Sequence, residues 1–244
     1  MSENPPKRRP MPPHNPGVRN LVDGKRRYSK LPNDADKKKG FRGWHERGYL
    51  PHRDQPGLIQ FVTFHLVDSF PMALRFEWAH LAMIEDSVER RKELEMYLDK
   101  GRGECWLRRA VIAELVERNF LNHSSWCGPQ GRAPAAFRYE LRAWCIMPNH
   151  VHVLFETGNT SMSKIVGGWK THTGRLANKL LKRCGAFWAE DYFDTFMRDE
   201  EHEQKTIRYI ENNPTKARLV LDPKEWSWSS ARFRDQLGSL RLPG

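Results

Sequence analysis

Two apolar, β-rich stretches, 137–146 and 150–156, are separated only by Met147-Pro148-Asn149. A connection this short fits a hairpin of neighbouring antiparallel strands. A third β-rich run, 58–67, is introduced by Pro56-Gly57, dense in β-branched and aromatic residues, and closed by Pro71. The intervening chain changes period: helical patterns are expected over 72–100, ending at Gly101-Arg102-Gly103, and over 107–121, followed by a loop over 123–136. A further helix is expected over 161–184, although Gly167-Gly168 lies inside it. Asp199 is a suitable N-cap for a helix over 200–212, which Pro214 would stop. With few strands, no regular βαβ alternation and no internal repeat, an α+β domain built on an antiparallel sheet is the fold class that fits.

Composition narrows the function classes. The chain has 244 residues, room for one decorated domain or two small ones, and a formal net charge of +11. No apolar run is long enough to span a membrane and the polar, proline-rich start is unlike a signal peptide, so the cell interior is expected. Four cysteines without a C-x-x-C pair are expected to be free thiols.

The charge is uneven. Residues 1–50 hold thirteen Lys/Arg against five Asp/Glu, which is +8, leaving +3 for the rest of the chain. Six of the sixteen prolines fall within the first sixteen residues, and Lys7-Arg8-Arg9, Lys25-Arg26-Arg27 and Lys37-Lys38-Lys39 follow with little apolar content. Such a segment buries too little surface to offset its ordering entropy, so residues 1–40 are expected to be a disordered basic arm, either a solubilising tail or a nonspecific phosphate-binding one. A second feature lies within the folded part: between 157 and 189 there is no acidic residue, while Lys164, Lys170, Arg175, Lys179, Lys182 and Arg183 give +6. Trp169, His172 and Trp188 are interleaved with them. Basic residues on a solvated helix normally have counter-charges, so this stretch is expected to face a polyanion, with Trp169 or Trp188 either stacking on unpaired bases or packed in the core.

Two constellations could carry chemistry. In a strand, His150 and His152 (i, i+2) project from one side while Val151 and Val153 project from the other, so the imidazoles could chelate a divalent metal or be two partly exposed strand histidines. On the helix after Asp199, Tyr209 and Asn213 (i, i+4) share a face. A phenol there could be a nucleophile beside a metal ligand or a packing tyrosine.

These segments together resemble a known family. Met147-Pro148-Asn149-His150-Val151-His152-Val153, Phe187-Trp188, Asp191-Tyr192-Phe193-Asp194, Arg198-Asp199-Glu200-Glu201-His202 and Tyr209-Ile210-Glu211-Asn212-Asn213-Pro214 are similar, in this order, to the REP-associated tyrosine transposases. These belong to the single-tyrosine HUH class of bacterial transposases. Arg47-Gly48-Tyr49-Leu50-Pro51-His52, Gly103-Glu104-Cys105-Trp106 and Trp226-Ser227-Trp228-Ser229-Ser230 extend the resemblance over about residues 41–231, leaving 1–40 as the arm and 232–244 as a C-terminal tail.

The resemblance implies a ferredoxin-like sheet with helices, Mg²⁺ or Mn²⁺ held by His150, His152 and Asn213, and Tyr209 as nucleophile, with Tyr192 as a rival. It implies cleavage and joining of single-stranded, hairpin DNA through a 5′-phosphotyrosine, by a monomer rather than a homodimer, in the bacterial cytoplasm at the nucleoid. The alternatives are a nucleic-acid-binding protein, such as a repressor, that keeps this fold without catalysis, and a metal-dependent phosphodiesterase that uses water.

Overall fold

The computed structural model describes residues 38, 40, 43–46, 51–69, 87–122, 124, 138–190 and 192–242. Most of the expected basic arm and of the 123–136 loop lies outside them. Strands β1 (Gly43–Glu46) and β2 (Pro51–Asp54) pair antiparallel as a small separate sheet. The main sheet contains β3 (Ile59–His65), β4 (Tyr139–Ile146), β5 (His150–Thr157) and β6 (Phe193–Phe196). Helices α1 (Ser87–Leu98) and α2 (Ala110–Asn122) follow β3, and α3 (Met162–Leu180) follows β5. After β6 come α4 (Glu200–Glu211) and the short α5 (Asn213–Lys216).

The sheet order is β4-β5-β3-β6, antiparallel throughout. Numbered by appearance, its strands run 2-3-1-4, with helices between the first and second and between the third and fourth. That is the ferredoxin-like split βαβ arrangement, an α+β fold. The expected hairpin forms around Met147-Pro148-Asn149, and Met147 N–H donates to His150 O at 2.9 Å. Asp199 caps α4 as expected, its carboxylate accepting from His202 N–H at 2.7 Å. Strand β6 was not anticipated. Its four residues, Phe-Asp-Thr-Phe, are too few to show a period and pair only along one side of β3.

Strand alternation divides the interior into two layers. Val62, Phe64, Val151, Val153 and Phe155 pack against α2 and α3, whereas Phe61 and Leu154 face Ile207 and Ile210 of α4. A bulge between Leu141 and Ala143 lets β4 serve both layers. The extra residue reverses the alternation, so Tyr139 and Leu141 before it and Trp144 and Ile146 after it all join the α2/α3 layer. Helix α3 tolerates Gly167-Gly168 because its apolar stripe is continuous: Met162, Ile165, Val166, Trp169, Thr173 and Ala177 are all buried.

Of the two readings of Trp169, base-stacking or core packing, the fold takes the second. Trp169 is 2% exposed, packs edge-on against Phe120, Tyr139 and Phe155, and donates its indole N–H to Tyr139 Oη at 3.0 Å. Trp188 is buried as well and donates to Thr173 Oγ1 at 2.9 Å. The apolar stripe of α3 outweighs the basic residues between its positions, and both indoles are buried.

The C-terminal chain packs against the sheet. Trp226-Ser227-Trp228-Ser229-Ser230 runs along the outer edge of β4: Ile146 N–H donates to Trp228 O at 2.9 Å, Trp226 Nε1 to Ile146 O at 3.0 Å, and Trp144 N–H to Ser230 Oγ at 3.0 Å. An edge strand is thereby covered without a fifth strand. Residues 232–242 are not a loose tail. Arg232 pairs with buried Glu117 at 2.6 Å, Arg234 with Glu211 at 2.8 Å, and Phe233, Leu240 and Leu242 pack on the core. Among the described residues, Cys105 and Cys145 are buried free thiols and Cys184 an exposed one.

Replacing Trp169 by Ala should lower the unfolding free energy by about 3–5 kcal/mol, as for other large buried aromatics. Urea denaturation of the two proteins measures this. A loss below about 1 kcal/mol would mean that the side chain is not a core residue.

Candidate active site

The histidine pair lies on the α4 side of the sheet. His150, His152, Thr63 and His65 project from one face because β3 and β5 pair with His152 opposite Thr63 and His150 opposite His65. All four are buried. Exposure of the two strand histidines, one reading of their spacing, is therefore not what the fold provides.

The two imidazoles turn their Nε2 atoms toward each other at 3.1 Å, while their Nδ1 atoms point away toward fixed partners. His150 Nδ1 lies 2.8 Å from Asn149 Oδ1 and His152 Nδ1 lies 2.9 Å from Thr63 Oγ1. The Asn149 amide is itself oriented, since its nitrogen donates to Leu98 O and Arg102 O at 3.1 and 3.3 Å. Its oxygen must then accept, which places the His150 proton on Nδ1 and a lone pair on Nε2. Thr63 can donate or accept, so His152 can either supply a proton to the Nε2–Nε2 contact or present a second lone pair. Two lone pairs at this distance repel unless a proton or a cation lies between them.

Such a donor set suits an ion. Two ligands cis on an octahedral centre with bonds of about 2.1 Å lie about 3.0 Å apart, close to the observed separation. Burial, with His152 and His65 nearby, holds the His150 imidazole well below its ordinary pKa of 6.5, and a neutral imidazole is the ligating form. Hydrogen bonds behind ligating histidines are the usual means of fixing their orientation. Among the described residues no group of three or more His, Cys, Asp or Glu is arranged around an ion, so any third protein ligand must be of another type.

Asn213 is of that type. It is 1% exposed; its amide nitrogen donates to Tyr209 O at 3.1 Å, and its Oδ1 is a buried acceptor with no hydrogen-bond partner among the described residues. Tyr209, one turn earlier, packs its ring 6.0 Å from the His152 ring and edge-on to Phe61 at 5.9 Å. Lys216 Nζ lies over the tyrosine ring, 4.6 Å from its centroid, and 4.0 Å from Glu95 of α1. The rival tyrosine is elsewhere: Tyr192 is buried in the α2/α3 layer, with Lys170 over its ring at 5.9 Å.

The basic cluster is not gathered at the histidines. Lys164, Lys170, Arg175 and Lys179 lie on α3, with Lys182 and Arg183 just after it, and this helix packs on the opposite face of the sheet. Lys164, Arg175, Lys179 and Lys182 are exposed, Lys170 donates to Glu190 O at 2.6 Å, and Arg183 to Ala186 O at 3.0 Å. Thr63, Asn149, His65 and Lys216 were not singled out from the sequence. Thr63 and His65 carry the same i, i+2 spacing as the histidine pair, a signal that gains meaning only once β3 and β5 are known to be neighbours.

The burial of neutral His150 has a pH consequence. The unfolded chain takes up a proton near pH 6.5 that the folded site refuses, so stability should fall as pH drops below 6.5, by up to about 1.4 kcal/mol per pH unit for one such group. Urea midpoints measured between pH 5 and 8 should show a shallower decline in His150→Gln; an unchanged slope would contradict a neutral His150.

Residues 132–213 match the family described as IS200-like transposases. No curated protein matches the chain. Among solved structures, a REP-associated tyrosine transposase bound to a REP hairpin is 14% identical, covering 82% of this chain and 90% of its own, with a TM-score of 0.46. A candidate transposase from Deinococcus radiodurans R1 is 16% identical, covering 69% and 95%, with a TM-score of 0.28. Both likenesses are slight; the family match, to IS200-like transposases, covers about a third of the chain and spans His150, His152, Tyr209 and Asn213.

Proposed function

We propose that the protein is a metal-dependent endonuclease and strand transferase for single-stranded DNA, acting on hairpin substrates of the REP type through a 5′-phosphotyrosine. The observation that carries this reading is the convergence of two rear-anchored imidazole nitrogens beside a helix bearing Tyr209. His150, His152 and Asn213 would hold the ion, whose contribution when bound is to polarise a nonbridging phosphate oxygen. With no carboxylate in the set, binding would be weak and partly dependent on the DNA phosphate, and Mn²⁺ would tolerate imidazole better than Mg²⁺.

The protein's own groups perform the transfer. Tyr209 Oη gives up its proton and forms a bond to phosphorus as the bond to the 3′-oxygen breaks; that oxygen is protonated and leaves as a 3′-hydroxyl. The ester is conserved in the tyrosyl linkage, so a second 3′-hydroxyl can reverse the step without ATP. Lys216 above the ring stabilises developing phenolate charge, and Glu95 keeps the ammonium in place.

Exposed cations on α3, together with the basic arm at 1–40, would add affinity for the backbone. The catalytic unit is taken as residues 41–231 with the packed segment that follows, working as a monomer in the cytoplasm at the nucleoid. No described helix is long and apolar enough to cross a membrane.

Labelled hairpin DNA incubated with Mn²⁺ should yield a denaturant-stable covalent adduct that chelation prevents and Tyr209→Phe abolishes. An adduct surviving in Tyr209→Phe would overturn the nucleophile, cleavage with no adduct would indicate water as nucleophile, and binding without cleavage would indicate a non-catalytic binder. Lys216→Ala should slow adduct formation about tenfold near neutral pH and move the pH–rate profile upward, with Lys216→Arg restoring both. A profile unchanged by Lys216→Ala would remove the lysine from the mechanism.

A further inference from the structure

The histidine half and the tyrosine half of the site both reach the C-terminal end of one helix, α1. On the histidine side, the Asn149 amide nitrogen donates to Leu98 O at 3.1 Å and Arg102 O at 3.3 Å, while the oxygen of the same amide accepts from His150. The main chain of Asn149 is fixed as well, its carbonyl accepting from Leu66 N–H at 2.8 Å and Ser69 Oγ at 3.0 Å. On the tyrosine side, Lys216 lies 4.6 Å above the Tyr209 ring and 4.0 Å from Glu95, in the last turn of α1. Asp99 follows on the same face; desolvation raises its carboxyl pKa and the Lys216 charge works against that rise. Lys216 also closes α5, the short helix that begins at Asn213.

We propose that the end of α1 is a brace that holds the His150 imidazole and the Tyr209 ring in a fixed relation, with Asn149 the positioning residue on one side and Glu95, aided by Asp99, on the other. This rests on the reading of His150 as a metal ligand and Tyr209 as the nucleophile, and adds what keeps the two aligned. The last carbonyls of a helix have no partners within it and carry the negative end of its dipole. Helix α1 has no basic residue in its last turn, so the Asn149 amide and the Lys216 ammonium answer that charge from other elements. Gly101, at φ +60°, turns the chain away and donates to Leu98 O at 3.0 Å, leaving the second lone pair of that carbonyl for Asn149. Leu98 is fully buried, which anchors the terminus, and the Glu95 side chain is only 9% exposed, so its pairing with Lys216 is screened less than a surface ion pair.

The two ends of the Asn149 amide separate the roles. Asn149→Asp keeps an oxygen for His150 Nδ1–H but sets a carboxylate against the Leu98 and Arg102 carbonyls, so it breaks the brace and spares the tautomer. Asn149→Ala removes both functions.

Nuclear magnetic resonance of the full-length protein, without metal or DNA and near neutral pH, tests the proposal. Imidazole nitrogen shifts should report one tautomer of His150, protonated on Nδ1, in the wild type and in Asn149→Asp, and a mixture in Asn149→Ala. The ε-methylene protons of Lys216, moved upfield by the Tyr209 ring current, should return toward their ordinary position in Asn149→Asp, although the substitution lies on the histidine side. Coupling is reciprocal, so Glu95→Gln should in turn move the Asn149 side-chain amide signals. This isosteric change reads the coupling even if Asn149→Asp does not fold. Lys216 signals unchanged in folded Asn149→Asp, or Asn149 amide signals unchanged in Glu95→Gln, would overturn the brace. An unaltered His150 tautomer in Asn149→Ala would overturn the role of Asn149. Neither metal nor strand cleavage enters these measurements, so failure of the tyrosyl chemistry would leave their outcome intact, and the reverse holds as well.

Discussion

Strand β5 is covered on both faces, and seven of its eight residues are buried. Its alternation therefore has only one workable arrangement: Val151, Val153 and Phe155 complete the α2/α3 core, and His150 and His152 must be accommodated, buried, on the other side. A one-residue slip would move both imidazoles into the apolar layer and three large side chains out of it. Placed where they are, the histidines must find partners within the protein, and Thr63 from the next strand and Asn149 from the hairpin turn take their Nδ1 atoms. What remains is a pair of Nε2 atoms facing each other, with His150 held neutral by burial.

The supporting groups come from segments far apart in sequence, all of which meet at the hairpin turn. Asn149 is oriented by carbonyls at Leu98 and Arg102, just before the Gly103-Glu104-Cys105-Trp106 segment. Gly103 sits at φ +84°, and any Cβ there would come within 2.8 Å of the Asp68 carbonyl oxygen, so that turn needs glycine. Helix α4 is brought to the same place by apolar contacts of Ile207 and Ile210 and by Glu211, which accepts from Ser230 at 2.6 Å and Arg234 at 2.8 Å. The C-terminal chain thus fixes the far end of the helix that carries Tyr209.

Much of this layout is legible in the sequence. The hairpin, β3, α3 and the Asp199 cap follow from periodicity and turn chemistry, and His150, His152, Tyr209 and Asn213 follow from spacing together with the family resemblance. What could not be read is whatever depends on pairing across the sheet. Thr63 is one threonine among several until it is placed opposite His152. Residues 232–242 look like a tail until Arg232 meets Glu117 and Arg234 meets Glu211. The acid-free stretch lies between the histidine strand and the tyrosine helix in sequence, which says nothing of its place in the fold. Helix α3 packs on the other face of the sheet, and Trp169 on it and Trp188 beyond it serve the core. The charge pattern marks a basic helix without specifying which layer it occupies.

The central claim is that the two Nε2 atoms form a metal-binding pair rather than a proton-sharing one. Pulsed electron paramagnetic resonance of Mn²⁺ added to the full-length protein reads this directly through nitrogen hyperfine coupling. The account predicts coupling to two imidazole nitrogens. Protein-bound Mn²⁺ with no nitrogen coupling would contradict it.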